Sequence, residues 1–267
     1  MCEALLMHTT YSFPFGEPVQ LVAQQDRAPK RVFVLGVYAS AVHAQWEDGS
    51  GKTRIRALAV ASEPYIFWRG DGVEAVLNRI HVPSEVGTLL PATPALNGPS
   101  GLALDELFLH PLGLQRSDAW LCDLVPHSCL NPKQQAALER EYQPLMEQYD
   151  LPKVTLPPVP HQLADEKRRQ EIQTELEASG ANILILLGDE PVRWFLHQFD
   201  PRWRRLADFG QDDSGYGRLH EVRIGEKSYR VLPLVHPRQA AKLGTYSTAW
   251  HELHRHWVSQ TAHLLTT

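Results

Sequence analysis

Two apolar runs, "RVFVLG" at 31–36 and "NILILLG" at 182–188, are β-branched or leucine-rich and stop at glycine. Unbroken runs of this length predict strands buried on both faces, as parallel strands are. "DAWLCDLVP" (118–126) and "YRVLPLVHP" (229–237) have the same character and end at proline. Between the four strands lie segments with helical patterns, at 101–113, 131–149, 164–180 and 189–199. Asn131 before Pro132 supplies an N-cap with proline at the first helical position, and Gly180 supplies a stop. "AVHAQWEDGSGKTRIRALAV" and "LHEVRIGEKSYRVLPL" alternate, which predicts hairpins turning at 48–51 and at Gly225.

Strands alternating with helices predict a three-layer α/β/α fold, its central, mainly parallel sheet four-stranded, with added β-hairpins. We read 1–267 as one domain, because the strand pattern resumes after the proline-rich connection "TLPPVPH" (155–161). Ligands of such sheets bind outside the carboxyl ends of the strands. The first of those ends is read as a turn of small residues at Gly36, offering Tyr38 and Ser40 but no carboxylate.

Composition narrows the classes. Hydrophobic residues are 43% and charged residues 21% of the 267, which suits a soluble globular protein and argues against disorder. A formal charge of -5 argues against attraction of nucleic acid to the whole surface. It leaves room for a local basic groove, with "EKRRQ" (166–170) and "PRWRR" (201–205) as candidate patches or solvated faces. Cys2, Cys122 and Cys129 are odd in number and lack C-x-x-C spacing, so they read as free thiols rather than a disulfide framework or a zinc or iron-sulfur site. "MCEALLMHTTYSFPF" has no leader pattern and no run approaches a membrane span, so a cytoplasmic monomer away from membranes is expected.

Three motifs compete for chemistry. "GSGKT" (49–53) lacks the glycine a phosphate loop needs, because Trp46 stands there, and it sits inside a hairpin. His251, His254 and His256 in "STAWHELHRHW" share a segment with Trp250, Leu253 and Trp257, whose spacing is that of a core-facing helix. "PLVHPRQAAKLG" (233–244) is the stronger signal. A strand delivers His236 at its carboxyl end, Pro237 opens a short helix and Arg238 adds a cation. A histidine so placed either caps the turn or donates to an oxygen that gains negative charge.

The succession of the strand ending at Gly36, "NGPSGLALDELF", Asp123 in "LCDLVP", "ILILLGDEPVRWF" and "LVHPR" resembles the uracil-DNA glycosylase superfamily from about Arg31 to Trp257. The resemblance implies a DNA glycosylase-like hydrolase that flips a base out of DNA and cleaves its N-glycosidic bond without metal or organic cofactor. By motif, Gly36, Tyr38, Ala39 and Ser40 would form the water-positioning loop. Leu96 would lie near the base-stacking position, Asp123 would read the base and His236 would donate to the leaving base. Pro237, Arg238 and Leu243 would contact nucleic acid.

The chain departs from that pattern at several positions. Tyr38 stands where strongly active relatives place an aspartate or asparagine, and tyrosine is a poor base at neutral pH because its reference pKa is about 10. Arg238 replaces the serine expected after His-Pro, and Leu96 replaces the ring, with Tyr65, Phe67 or Trp68 as alternatives. If the bond breaks dissociatively, His236 and Arg238 can still carry a slow enzyme. An ionised Asp123 only accepts hydrogen bonds, which points to a base other than uracil, such as guanine with its adjacent N–H donors. Asp123 suits a turn cap or a basic partner equally well. The same residues also allow a nucleic-acid or nucleotide-binding module without chemistry, or a hydrolase of free nucleosides or nucleotides.

Overall fold

The computed structural model describes residues 11–212, 214–260 and 262. Cys2 and most of the N-terminal segment "MCEALLMHTTYSFPF" lie outside them. The strands are β1 (Val32–Tyr38), β2 (Ala41–Glu47), β3 (Thr53–Ser62), β4 (Thr88–Pro91), β5 (Ala119–Val125), β6 (Ile183–Leu187), β7 (His220–Ile224) and β8 (Lys227–Leu234). The helices are α1 (Val73–Leu77), α2 (Pro99–Leu104), α3 (Pro132–Glu141), α4 (Gln143–Tyr149), α5 (Glu166–Ser179), α6 (Asp189–Trp194), α7 (Pro237–Ala240) and α8 (Thr248–Gln260).

The main sheet runs β5-β1-β6-β8-β7, with β1, β5, β6 and β8 parallel and β7 antiparallel at the edge. The four expected parallel strands are present. The sheet has a fifth strand because the hairpin at Gly225 returns onto β8 rather than standing apart. Alternate residues explain the unbroken apolar runs. Val32 and Val34 of β1 pack with Leu104, Phe108 and Trp257 on one face, and Phe33 and Leu35 with Ile172, Leu176 and Phe195 on the other.

β1 corrects the turn expected at Gly36. The strand continues to Tyr38, Gly36 aligns with Asp123 of β5, and the reversal falls at Ala39 and Ser40 before β2. The three long helices expected over 101–113, 131–149 and 189–199 are also shorter. After α2 the chain widens into a π turn at Asp105–Leu109 and tightens again before Gly113. Tyr142 separates α3 from α4, where Pro144 lacks the N–H that would continue the ladder. α6 gives way to a 3-10 turn at Leu196–Gln198, whereas α5 matches its expected span closely.

β3-β2-β4 form a separate antiparallel sheet around Trp46, Phe15 and Tyr142. "GSGKT" is its hairpin turn, in which Asp48 Oδ1 accepts from the N–H groups of Ser50 and Lys52. α8 buries His254 and Trp257 as expected for a packed helix. Its histidines are not all incidental, however. Val235 N–H donates to the Tyr216 hydroxyl at 3.0 Å, that hydroxyl bonds His254 Nδ1 at 2.8 Å, and His254 Nε2 donates to Leu107 O at 2.9 Å. Burial holds His254 down to about 4, so it is neutral and bridges the end of β8 to the π turn. Among the described residues no helix is long and apolar enough to cross a membrane.

Candidate functional site

A cavity of about 410 Å³ opens at the carboxyl ends of β1, β5 and β8. It lies where the order of parallel strands reverses around β1, the place where open α/β sheets hold ligands. Its wall joins Tyr38 at the end of β1 with Ser40 after it, Glu63 and Phe67 after β3, and Leu96 with the start of α2. Asp123 of β5 and His236 with Arg238 after β8 complete it.

His236 caps α7. Its Nδ1 accepts from Arg238 N–H at 3.2 Å, so the neutral ring carries its proton on Nε2. Burial, helped by the charge of Arg238, pulls its pKa down to about 4. The group is therefore a neutral N–H donor throughout the physiological range. Capping the turn engages Nδ1 and leaves Nε2 carrying the ring's N–H.

Asp123 is buried, and desolvation pushes its carboxyl up to about 7 against the pull of Arg168. Arg168 does not pair with that carboxylate directly; its Nη2 donates to the Asp123 backbone oxygen at 2.7 Å. Glu63 has no counterpart among the sequence-derived candidates. Burial pushes it up to about 8 and the neighbouring Asp123 adds to this, while hydrogen bonds from the backbone N–H groups of Ser40 and Trp68 and the charge of Arg116 act the other way. Two carboxyls thus share one cavity whose first loop offers none. The only local signal was a glutamate closing an alternating strand immediately before Pro64.

Phe67 supplies the buried aromatic wall, whereas Leu96 sits at the rim, 38% exposed. A clamp holds Phe67 with φ at 50°. Arg116 Nε bonds both oxygens of Asp105 at 2.7 and 3.0 Å, while its Nη2 donates to Phe67 O at 2.6 Å and Gly101 O at 3.2 Å. The second glycine of "GPSG" allows this approach, because a Cβ at Gly101 would lie 2.2 Å from Phe67 O. Asn97 of the same motif pins β2, exchanging both backbone bonds with His43 at 2.8 and 2.9 Å.

The remaining expectations divide. Tyr38 and Ser40 reach the cavity, and Tyr38 is 52% exposed at its mouth, leaving the interior open. Ala39 does not line it; the residue is buried in the main core with its N–H on Val125 O. Pro237 is buried as the first residue of α7, and Leu243 lies beyond the helix, neither of them on the cavity wall.

Gly36 also acts without lining the cavity. A Cβ there would fall 2.3 Å from Asp123 Oδ1 and 2.5 Å from Phe67 Cζ, so its bare backbone makes room for both. Gly36→Val is expected to displace both side chains and cost about 2 kcal/mol of stability by overpacking. Urea denaturation of the variant beside the wild type checks this, and an unchanged midpoint would refute it.

No protein-family model matches the chain, and no curated protein does either.

Proposed function

We propose that this chain cleaves the N-glycosidic bond of a base flipped out of DNA, the activity implied by its resemblance to the uracil-DNA glycosylase superfamily. The observation that carries the reading is the convergence of a neutral N–H donor at His236, a buried carboxyl at Asp123 and an aromatic wall at Phe67 in one cavity. Flipping is required because the glycosidic carbon and the base edge are inaccessible inside a duplex. As the bond stretches, the pair of electrons moves onto the base, and His236 stabilises that charge by donation. Phe67 offers its face to the base, and Ser40 with the backbone beside it offers hydrogen bonds to the sugar.

Asp123 changes the substrate question. Its ionised form suits adjacent N–H donors such as those of guanine. The acid form, accessible near neutrality, presents one donor and one acceptor and matches the lactam edge of uracil, hypoxanthine or xanthine. Arg238 at the mouth, exposed Lys242 after α7 and Arg204 suit phosphate. The segment carrying Arg204 is tied to the start of α6 by Leu206 N–H on Asp189 Oδ1 at 2.7 Å. Its neighbours Arg202 and Arg205 are paired with Asp200 and Asp208.

The test is incubation with single- and double-stranded oligonucleotides carrying uracil, hypoxanthine or xanthine, followed by alkali. Strand breaks at the modified position are the expected outcome. Oligonucleotide binding with no breaks on any substrate would overturn the catalytic reading in favour of a binding module.

A further inference from the structure

We propose that Glu63 is the general base that activates the attacking water, replacing the carboxylate that the first loop lacks. The inference rests on the glycosidase reading above and assigns that reaction a residue from a different part of the chain. Glu63 follows β3, yet it lines the same cavity as Asp123, Phe67 and His236. The backbone N–H groups of Ser40 and Trp68 favour its charged form, so the first loop and the Phe67 turn both bear on the carboxyl.

A second observation separates Glu63 from a simple loop clamp. It also borders a second cavity of about 370 Å³ on the far side, with Gln20, Val22, Ala61, Pro64 and Val76. A nucleic acid seated over Tyr38 and Arg238 would cover the front opening. The second cavity leaves an open space adjoining Glu63, through which water can be supplied and a proton discharged.

The step balances with the chain's own groups. The C1′–N bond breaks with its electron pair moving onto the base, where His236 Nε2–H donates. The water oxygen bonds C1′ and gives one proton to Glu63. Glu63 then returns that proton to solvent, and the departing base is neutralised by a proton from solvent.

The groups facing Glu63 set its pH dependence. They are Asp123 from β5, Arg116 from the turn before it, and His43, His236 and Arg238 around the front cavity. Glu17, Tyr65 and Arg79 face it across the rear one. Between about 7 and 8 the carboxyl pair holds one proton, chiefly on Glu63, and the working state is the minority arrangement in which Asp123 carries it, as the acid that reads a lactam edge, and Glu63 is ionised. Excision should therefore rise from pH 5 to a maximum between about 7 and 8 and then decline.

Single-turnover excision is measured for wild type, Glu63→Gln and Glu63→Asp from pH 5 to 9, on a substrate the wild type cleaves, with oligonucleotide affinity measured in parallel. The glutamine keeps an acceptor for Ser40 and Trp68 but cannot take a proton. Its expected rate is lower by roughly 10²-fold, without the rising limb and with affinity unchanged. The aspartate should restore part of the rate and the rising limb. Excision by Glu63→Gln within twofold of wild type would overturn the assignment while leaving the glycosidase reading intact. A flat wild-type profile would do the same should the glutamine variant fail to fold. If the wild type cleaves nothing, both fall together.

Discussion

Alanine in place of His236 is expected to reduce single-turnover base excision by roughly 10²–10³-fold while oligonucleotide affinity changes little. The size follows from the geometry. Its Nδ1 is committed to Arg238 N–H, so Nε2–H is the donor available to the departing base. With its pKa held near 4, the ring takes up no proton as the pH falls to 6 and needs no rearrangement to donate. Such a donor acts on charge that develops only in the transition state, so its removal should leave ground-state binding almost untouched. The alanine also removes the cap of α7, at a cost of about 1 kcal/mol, and His236→Asn controls for this by retaining a capping acceptor. If both variants cleave as fast as wild type, His236 is a cap and nothing more.

Asp123→Asn is expected to gain stability over wild type as the pH rises from 5 to 9. Desolvation pushes the Asp123 carboxyl up to about 7 in the folded protein, from an ordinary value of 3.8. A carboxyl raised in this way leaves stability intact below the unfolded value, and that stability is lost as the pH climbs through the folded one. Asparagine has no such loss. The two proteins should be similar only below about pH 4, the unfolded value, and diverge by on the order of 4 kcal/mol at pH 9. Urea denaturation at three pH values measures the gap, and parallel stability curves would show that Asp123 ionises in the folded state as it does unfolded. Glu63, raised to about 8, pulls the wild type in the same direction. His236 and His254 act oppositely. Both are lowered to about 4, so the stability they contribute is full above their unfolded value of 6.5 and is lost as the pH falls toward 4. Together these groups place the most stable range in mildly acidic solution.

The absence of a carboxylate from the first loop does not leave the cavity without one. Tyr38 occupies the expected position, but its side chain is at the mouth. Besides Asp123, the cavity receives the carboxyl of Glu63, 25 residues further along the chain from Tyr38 and beyond a second sheet. Local patterning gives no means of pairing Glu63 with Asp123, because the approach depends on β1 running beside β5 and on the chain returning after β3. Phe67 was discernible only as one of three rings in "EPYIFW". Arg116 and Asp105 select it by holding its carbonyl, and those two residues carried no signal of their own.

Local pattern was decisive where burial alone sets the element. β1, β5, β6 and β8 could be recognised because a strand covered on both faces must be apolar at every position. His236 was visible because a strand ending in His-Pro can hardly continue, and the proline opens the next helix. The helices were less legible. Asp105–Leu109 widens and Tyr142 breaks the α3–α4 run for reasons of packing and proline sterics that a periodic pattern averages away. Gly36 shows the boundary between the two kinds of information. A glycine after an apolar run reads as a turn, yet here it is a mid-strand residue kept small by Asp123 and Phe67. The chain's own chemistry determined which segments are buried and which strand ends carry polar groups. Tertiary structure alone decided which of those groups meet, because the fields and steric limits that tune Asp123, Glu63 and His236 come from residues distant in the chain.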